Sequence, residues 1–347
     1  MKDCREEWFD AEKKVAVTIV DVTGAAQELA RGHLAGPTGA YYLTKALAAV
    51  ALLGGAMVDS VITNSGLVAS MWPKSAGLIR IGAATMERCR IVNNSTWEID
   101  NGTGVIVLES SKSVMRDCVV CGNYTRHENV NASRNGFISM NAGLMERCAV
   151  VRNTSSTKGR SGWTGGVDLK GGKMTNCLVA DNTIGKINIT TTTTRIGMGA
   201  AIDGMSKAIN SLFCNTPYAG ETTVNVVGVK RLGSATVVNC AILANGSSDG
   251  SLIKDLVGDA SFDHCAADDV TDCTDSIPAT YGACYRRDRK TGLLKHMPGS
   301  PLIDKGKSQP DLEAGVDLVL RPRLHGKAID IGPFECPGIP GFGIILR

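Results

Sequence analysis

Apolar residues in this chain do not gather into long runs. They recur as short period-two alternations separated by small polar turns. Val167 and Leu169 alternate with Asp168 and Lys170 ahead of the pair Gly171-Gly172, and Val50 and Leu52 lead into Gly54-Gly55 in the same way. Period two is the spacing of a strand whose side chains point alternately to opposite faces, not that of a helix. Just downstream, Met174-Thr-Asn-Cys177-Leu-Val-Ala-Asp-Asn182 introduces a second motif, an inward anchor followed two residues later by an apolar residue.

That motif repeats. Close copies begin at Met86, Met115 and Met145, weaker ones at Met57, Ala208 and Val237, and a shortened last copy is Phe262-Asp-His-Cys265. The anchors at 60, 89, 118, 148, 177, 211 and 240 are separated by 29, 29, 30, 29, 34 and 29 residues. A unit of strand, glycine turn, strand, asparagine turn and polar return cannot bury its apolar side alone, whereas stacked units share one continuous core. The period suits a three-sided coil. The expected fold is all-β, a right-handed parallel β-helix of seven to eight rungs, about 35–40 Å long at the usual strand spacing. Leucine-rich and helical repeats are excluded by the missing leucine ladder and the missing 3.6 period. Residues 46–284 form the repeats, 285–336 a C-terminal capping segment and 337–347 a tail. Residues 1–45 are a leading segment, with a strand over Val15–Val22 and a short helix over Ala25–Leu34.

Stacking gives the composition a cause. The chain has 347 residues, 40 glycines, 12 cysteines and 5% aromatics. The repeat places Cys89, Cys118, Cys148, Cys177 and Cys240 in one interior column, where a small soft side chain packs without voids. Asn94, Asn123, Asn153, Asn182 and Asn245 form a second column at a turn. Asparagine tolerates left-handed backbone there, and its amide offers both donors and acceptors to the neighbouring rung. With 43% hydrophobic residues and a net charge of +3 the chain is not disordered, and it lacks the basic excess of a nucleic-acid binder. The longest uncharged apolar stretch, 46–58, is 13 residues and too short to span a bilayer. Residues 1–14 are charged, with no apolar core of a secretory signal.

Beyond the repeats, Ser300-Pro-Leu-Ile-Asp304-Lys-Gly306, Asp317-Leu-Val-Leu-Arg-Pro-Arg323 and Ile329-Asp330-Ile-Gly-Pro-Phe-Glu335 follow in order. Together with the repeats, these motifs resemble bacterial right-handed β-helix surface and secreted proteins, including those built from polymorphic outer-membrane-protein repeats and sharing the pectate-lyase-like fold. The closing signature of that group reads SPxIDxG, DxxGxPR and DIGxxE, and Leu320 stands here where glycine is usual. The resemblance implies an extracellular or cell-surface setting. It does not fix a reaction.

Several side-chain groups have chemistry to offer. Asp304, Asp317, Arg323, Asp330 and Glu335 read as a structural clasp, with Arg323 forking onto carboxylates and the segment closing the open end of the coil. Cys118-Val-Val-Cys121 is formally a CxxC, but strand alternation turns its first cysteine inward, away from redox use. Cys273 and Cys284 are a candidate disulfide for an exported protein. The acidic run Asp263, Asp268, Asp269, Asp272 and Asp275 is the one place calcium could enter, yet calcium-loop spacing is absent and no metal or other cofactor is expected.

The polar returns carry Arg126, Arg134, Lys158, Arg160, Trp163, Lys186 and Arg195 in three consecutive units, an aromatic among cations that suits an acidic polysaccharide or surface glycan. Asp168, Lys170, Asp203 and Lys207, expected as exposed strand residues, could be assembled into a lyase or hydrolase site, although nothing in their spacing demands it. The expected function is therefore a non-catalytic surface protein presenting stacked loops for adhesion or glycan binding. A polysaccharide lyase or glycoside hydrolase and a purely structural stalk are the alternatives.

Overall fold

The computed structural model describes residues 4–10, 15–21, the strands and short turns of 56–287, and 294–336. Cys4–Asp10 and Val15–Asp21 pair as an antiparallel hairpin. From Ala56 onward the chain winds as a parallel β-solenoid. One turn consists of four short strands, for example Ile79–Ile81, Thr85–Glu87, Arg90–Val92 and Ser95–Trp97. Each pairs with its counterpart in the next turn, giving four parallel sheets of seven, eight, nine and seven strands, numbered here first to fourth in that order. The three-sided coil expected from the period is thus corrected to four strands per turn, because both short bends of the repeat break the backbone ladder.

Those bends are made by single left-handed residues. Between the second and third sheets stand Asp59, Arg88, Asp117, Arg147, Asn176, Asn210, Asn239 and His264, all with φ between 48° and 54°. Between the third and fourth stand Asn93, Gly122, Arg152, Asp181 and Ala244. The asparagine column was expected to supply this conformation; instead the residue before each column asparagine does so, which frees the amide to point inward. Asn123 Oδ1 accepts from both the backbone N–H and Nδ2 of Asn94 at 2.9 Å, and Asn123 Nδ2 donates to Ile91 O at 2.9 Å. Asn153 and Asn182 continue the same pattern.

The cysteine column sits at the other corner. Cys89 N–H donates to Cys118 Sγ and Cys148 N–H to Cys177 Sγ, each at 3.4 Å, and Cys177 N–H meets Ser211 Oγ at 3.2 Å. Cys118 turns inward while Cys121, three residues on, faces out and is half-buried, so the CxxC cysteines lie on opposite faces of the coil wall. Hydrogen bonding to Cys148, together with burial, pushes the Cys118 thiol up to about 12, and burial does the same for Cys240. These are packing residues that stay protonated.

The core is a set of columns in strict register. Met57, Met86, Met115, Met145 and Met174 stack along the second sheet, and Ile62, Ile91, Val120, Val150 and Val179 along the third. Fully burying one such side chain stabilises the fold by about 1.5–3 kcal/mol. The glycine turn between the first two sheets is sterically required. Gly172 has φ 86°, and a β-carbon there would stand 2.4 Å from the Gly143 carbonyl oxygen of the preceding turn.

Strict repetition covers about four turns, those anchored at Cys89, Cys118, Cys148 and Cys177, rather than seven to eight equal rungs. Outside them the ladders continue in altered form. Serine replaces cysteine at 60 and 211, the 34-residue step intervenes, and the strands shorten to two residues at Phe262–Asp263 and Ala266–Ala267.

Replacing Asn153 by alanine would leave the Asn123 N–H and amide buried without their acceptor. The expected loss is about 2–4 kcal/mol of stability, read as a lower denaturation midpoint, with Ser95→Ala at a half-buried strand position close to neutral as the comparison.

Candidate functional site

The outward face of the third sheet changes character along the solenoid. Its early strands show exposed Val61 and Arg90, whereas Leu212, Cys214, Ala241, Leu243 and Ala266 are fully buried although they point away from the core. They are covered by the C-terminal segment. Tyr285, Leu294, Leu302, Ile331 and Phe334 pack on them as a second apolar cluster, which also contains Cys284. Polar contacts fasten the edges. Asn239 Nδ2 donates to Lys307 O at 2.9 Å, Asn176 Nδ2 to Val316 O at 3.3 Å, Gly332 N–H to Asn239 O at 2.8 Å, and Lys307 pairs with Asp263 at 2.7 Å. The segment expected to close the open end of the coil lies instead along its flank. The sequence held a signal for this: Leu212-Phe-Cys214 and Ala241-Ile-Leu243 are apolar on both faces, which a strand with one wet face does not need.

Beneath this cover lies the clasp group. Arg323, Asp317, Asp330 and Glu335 are almost entirely excluded from solvent, and Asp304 is half-buried. The expectation that Arg323 forks onto carboxylates is corrected. Its Nη2 donates to the carbonyl oxygens of Asp330 and Gly332 at 2.8 and 2.6 Å, and its Nε stands 4.0 Å from Glu335. The carboxylates are held by backbone N–H groups. Asp317 accepts from Val319, Arg321 and Glu335, Asp330 from Asp304 and Cys336, Glu335 from His325 and Asp330, and Asp304 from Lys327 and Ala328. Extended backbone strung with turns supplies many inward N–H groups, and these meet the lone pairs that a single guanidinium cannot.

Three carboxylates and one cation, all buried, cannot all ionise without cost. Burial, reinforced by Asp330, raises Glu335 to about 7, and burial raises Asp330 as well. Burial lowers His296, whose ring packs tilted against Tyr285, to about 4. Such a cluster resembles an acid–base site in its titration, but every member faces inward and is bonded to backbone. It holds a loop in place and offers no access to a polymer substrate.

The other candidates separate in space. Along the corner between the second and third sheets, Arg88 grips Asp59 at 2.7 and 3.0 Å, and Arg147 grips Asp117 at 2.7 and 2.9 Å while also bonding Glu146 at 2.7 Å. Arginine in left-handed backbone is unfavourable by about 1 kcal/mol, and these bidentate pairs offset part of that. No pattern in the sequence reading anticipated this charge zipper, although Asp, Arg, Asp, Arg at successive corner positions spells it out.

Asp168, expected to be exposed, is instead wholly buried on the first sheet, where it pairs with Lys170 at 3.2 Å; Asp203 accepts from the N–H of its neighbour Gly204, and Lys207 stands exposed on the second sheet. Its burial keeps Asp168 out of any open cleft that Lys170, Asp203 and Lys207 could line. Asp263, His264 and Asp275 bring ligand atoms within 4.8 Å of one another. Asp263, however, already engages His264 at 2.6 Å with one oxygen and Lys307 with the other. Asp268, Asp269, Asp272 and Cys273 lie outside the described residues, as do Arg134, Lys158, Arg160 and Lys186. Arg126, Trp163 and Arg195 are described by backbone alone, on strands Tyr124–His127, Trp163–Leu169 and Arg195–Ile202.

Arg323→Met would leave three buried carboxylates with no cation among them, and a loss of about 3–5 kcal/mol is expected, seen as a lower melting temperature. The pH dependence has a definite sign. Between its unfolded value near 4.5 and its folded value of about 7, Glu335 keeps a proton in the folded state that the unfolded chain releases, so stability falls as pH rises through that range. His296 acts oppositely between about 4 and 6.5, where the unfolded chain takes up the proton and stability rises with pH. The two offset at lower pH, and the net loss falls above about pH 6.5. Melting curves of Glu335→Gln should show that loss diminished; an unchanged profile would remove Glu335 as its source. No family model matches the chain, and neither a curated protein nor a solved structure matches it.

Proposed function

We propose that the protein is a non-catalytic, extracellular or cell-surface β-solenoid that binds acidic glycan along the flank formed by its long connections. The observation that carries this reading is topological. As far as Val257, the long connections run from the fourth sheet of one turn to the first sheet of the next, as between His127 and Ile138, Thr157 and Trp163, and Gly185 and Arg195. Connections that leave and re-enter at the same two sheets rise from one side. In the sequence, Arg134, Lys158, Arg160 and Lys186 fall within these connections, and Arg126, Trp163 and Arg195 within the strands that flank them. Cations recurring in successive units of the repeat suit a polymer carrying carboxylates or sulfates at regular intervals, and an indole packs on a sugar face. Winding is taken as right-handed, since parallel crossover connections overwhelmingly are. The burial of Asp168 and the separation of Lys207 from it argue against hydrolysis or lyase chemistry.

Binding of the full chain to uronate-containing or sulfated polysaccharides should weaken with salt, and Arg160→Ala and Trp163→Ala should each reduce it about threefold to tenfold. No unsaturated or reducing ends should accumulate during incubation. Salt-insensitive binding, or none, would sink the glycan reading.

A further inference from the structure

The loop that the buried carboxylates hold presents an unusual surface. Its N–H groups at Val319 and Arg321 bond Asp317 at 2.9 and 2.8 Å, His325 bonds Glu335 at 3.4 Å, and Lys327 bonds Asp304 at 2.8 Å. Arg323 plunges inward between them and is fully buried. The loop is therefore pinned from beneath along its length, and what it shows to solvent is set by the fold. It shows Leu320 at 66% exposure, Leu324 at 43% and Val319 at 39%.

Two costs meet at Leu320. A large apolar side chain stands in water, and it does so at φ 63°, in the left-handed region where glycine would be free of strain. Folding alone favours neither choice. The loop's exposed charged residues are Arg321 and Lys327, with His325 beside them, and no acid occurs between Leu318 and Ile329. Among the described residues none of these three forms an ion pair.

Apolar tips ringed by unpaired cations call for a partner that has an apolar phase beneath an anionic skin. A hydrated polysaccharide has no such phase. A second copy would need an apolar, acidic recipient: exposed Val61 lies beside Arg90, and the acids beside exposed Val58, Asp59 and Glu87, are already paired with Arg88. An anionic lipid surface has both: side chains such as Leu320 enter the boundary between headgroups and acyl chains while Arg321 and Lys327 stay at the phosphates. We propose that residues 319–327 dock the protein shallowly on anionic lipid bilayers.

Co-sedimentation of the full chain with phosphatidylcholine vesicles, with and without phosphatidylserine, tests this. Retention is expected only on the phosphatidylserine vesicles, weakening with salt. Leu320→Asp should cut it about tenfold or more and Arg321→Glu severalfold, both with unchanged melting because these side chains are exposed. Leu320→Gly relieves the backbone, so it should melt no lower than the natural chain and still lose binding. Absence of retention at low salt, or retention that both charge-changing variants leave intact, overturns the proposal. So does a concentration-dependent dimer that Leu320→Asp abolishes, since the loop would then serve a second copy.

Discussion

The rungs anchored at Cys89, Cys118, Cys148, Cys177 and Cys240 each depend on two single-residue left-handed bends. A bend spread over several residues would carry the strand faces out of line and leave backbone groups in the core unpaired. One residue at positive φ turns the chain while keeping the hydrogen-bond ladders of adjacent sheets in phase. The residue after each bend then points inward at a fixed height. That is why cysteine stacks behind one corner and asparagine behind the other, and why each asparagine amide reaches both its neighbour in the stack and a carbonyl of the rung beyond.

The same geometry sets the outside. Residues at the bends project outward one above another, so their chemistry adds up along the stack. Where they are Asp and Arg in alternation, they pair with each other; where they are Asn176 and Asn239, they bind the C-terminal segment laid against them. That segment buries apolar surface on the third sheet, but it has little regular structure of its own. Its order comes from carboxylates sunk among backbone N–H groups. The arrangement is electrostatically tense, with one guanidinium for three acids, and Glu335 relieves it by keeping its proton up to about pH 7. A rigid underside leaves the outer side of the loop free to show residues that folding alone would hide or replace.

The solenoid was legible because a 29-residue period with inward anchors leaves few other solutions. Met174, Cys177, Val179 and Asn182 each imply a column once the register is known. Less legible was which residue turns the chain. Asparagine tolerates left-handed backbone, so Asn153 looked like the bend itself, whereas Arg152 bends and Asn153 bonds. Propensity ranks residue types but cannot see that the amide is worth more inside, where its lone pairs have partners. Arg323, with its guanidinium fork, points in sequence toward carboxylate partners. Its hydrogen-bond acceptors are instead the carbonyl oxygens of Asp330 and Gly332, with Glu335 4.0 Å from its Nε, and these follow from where the backbone passes.

What the sequence determined by itself, then, is the repeat: strand periodicity, corner spacing and the identity of the inward columns, all local properties that stacking multiplies. The tertiary structure decided where the non-repeating part goes. Nothing local tells residues 294–336 to lie along the third sheet instead of across the open end, because that choice rests on surfaces far apart in the chain. Leu212 and Leu243 need a cover, and Ile331 and Phe334 provide it only once both are in place.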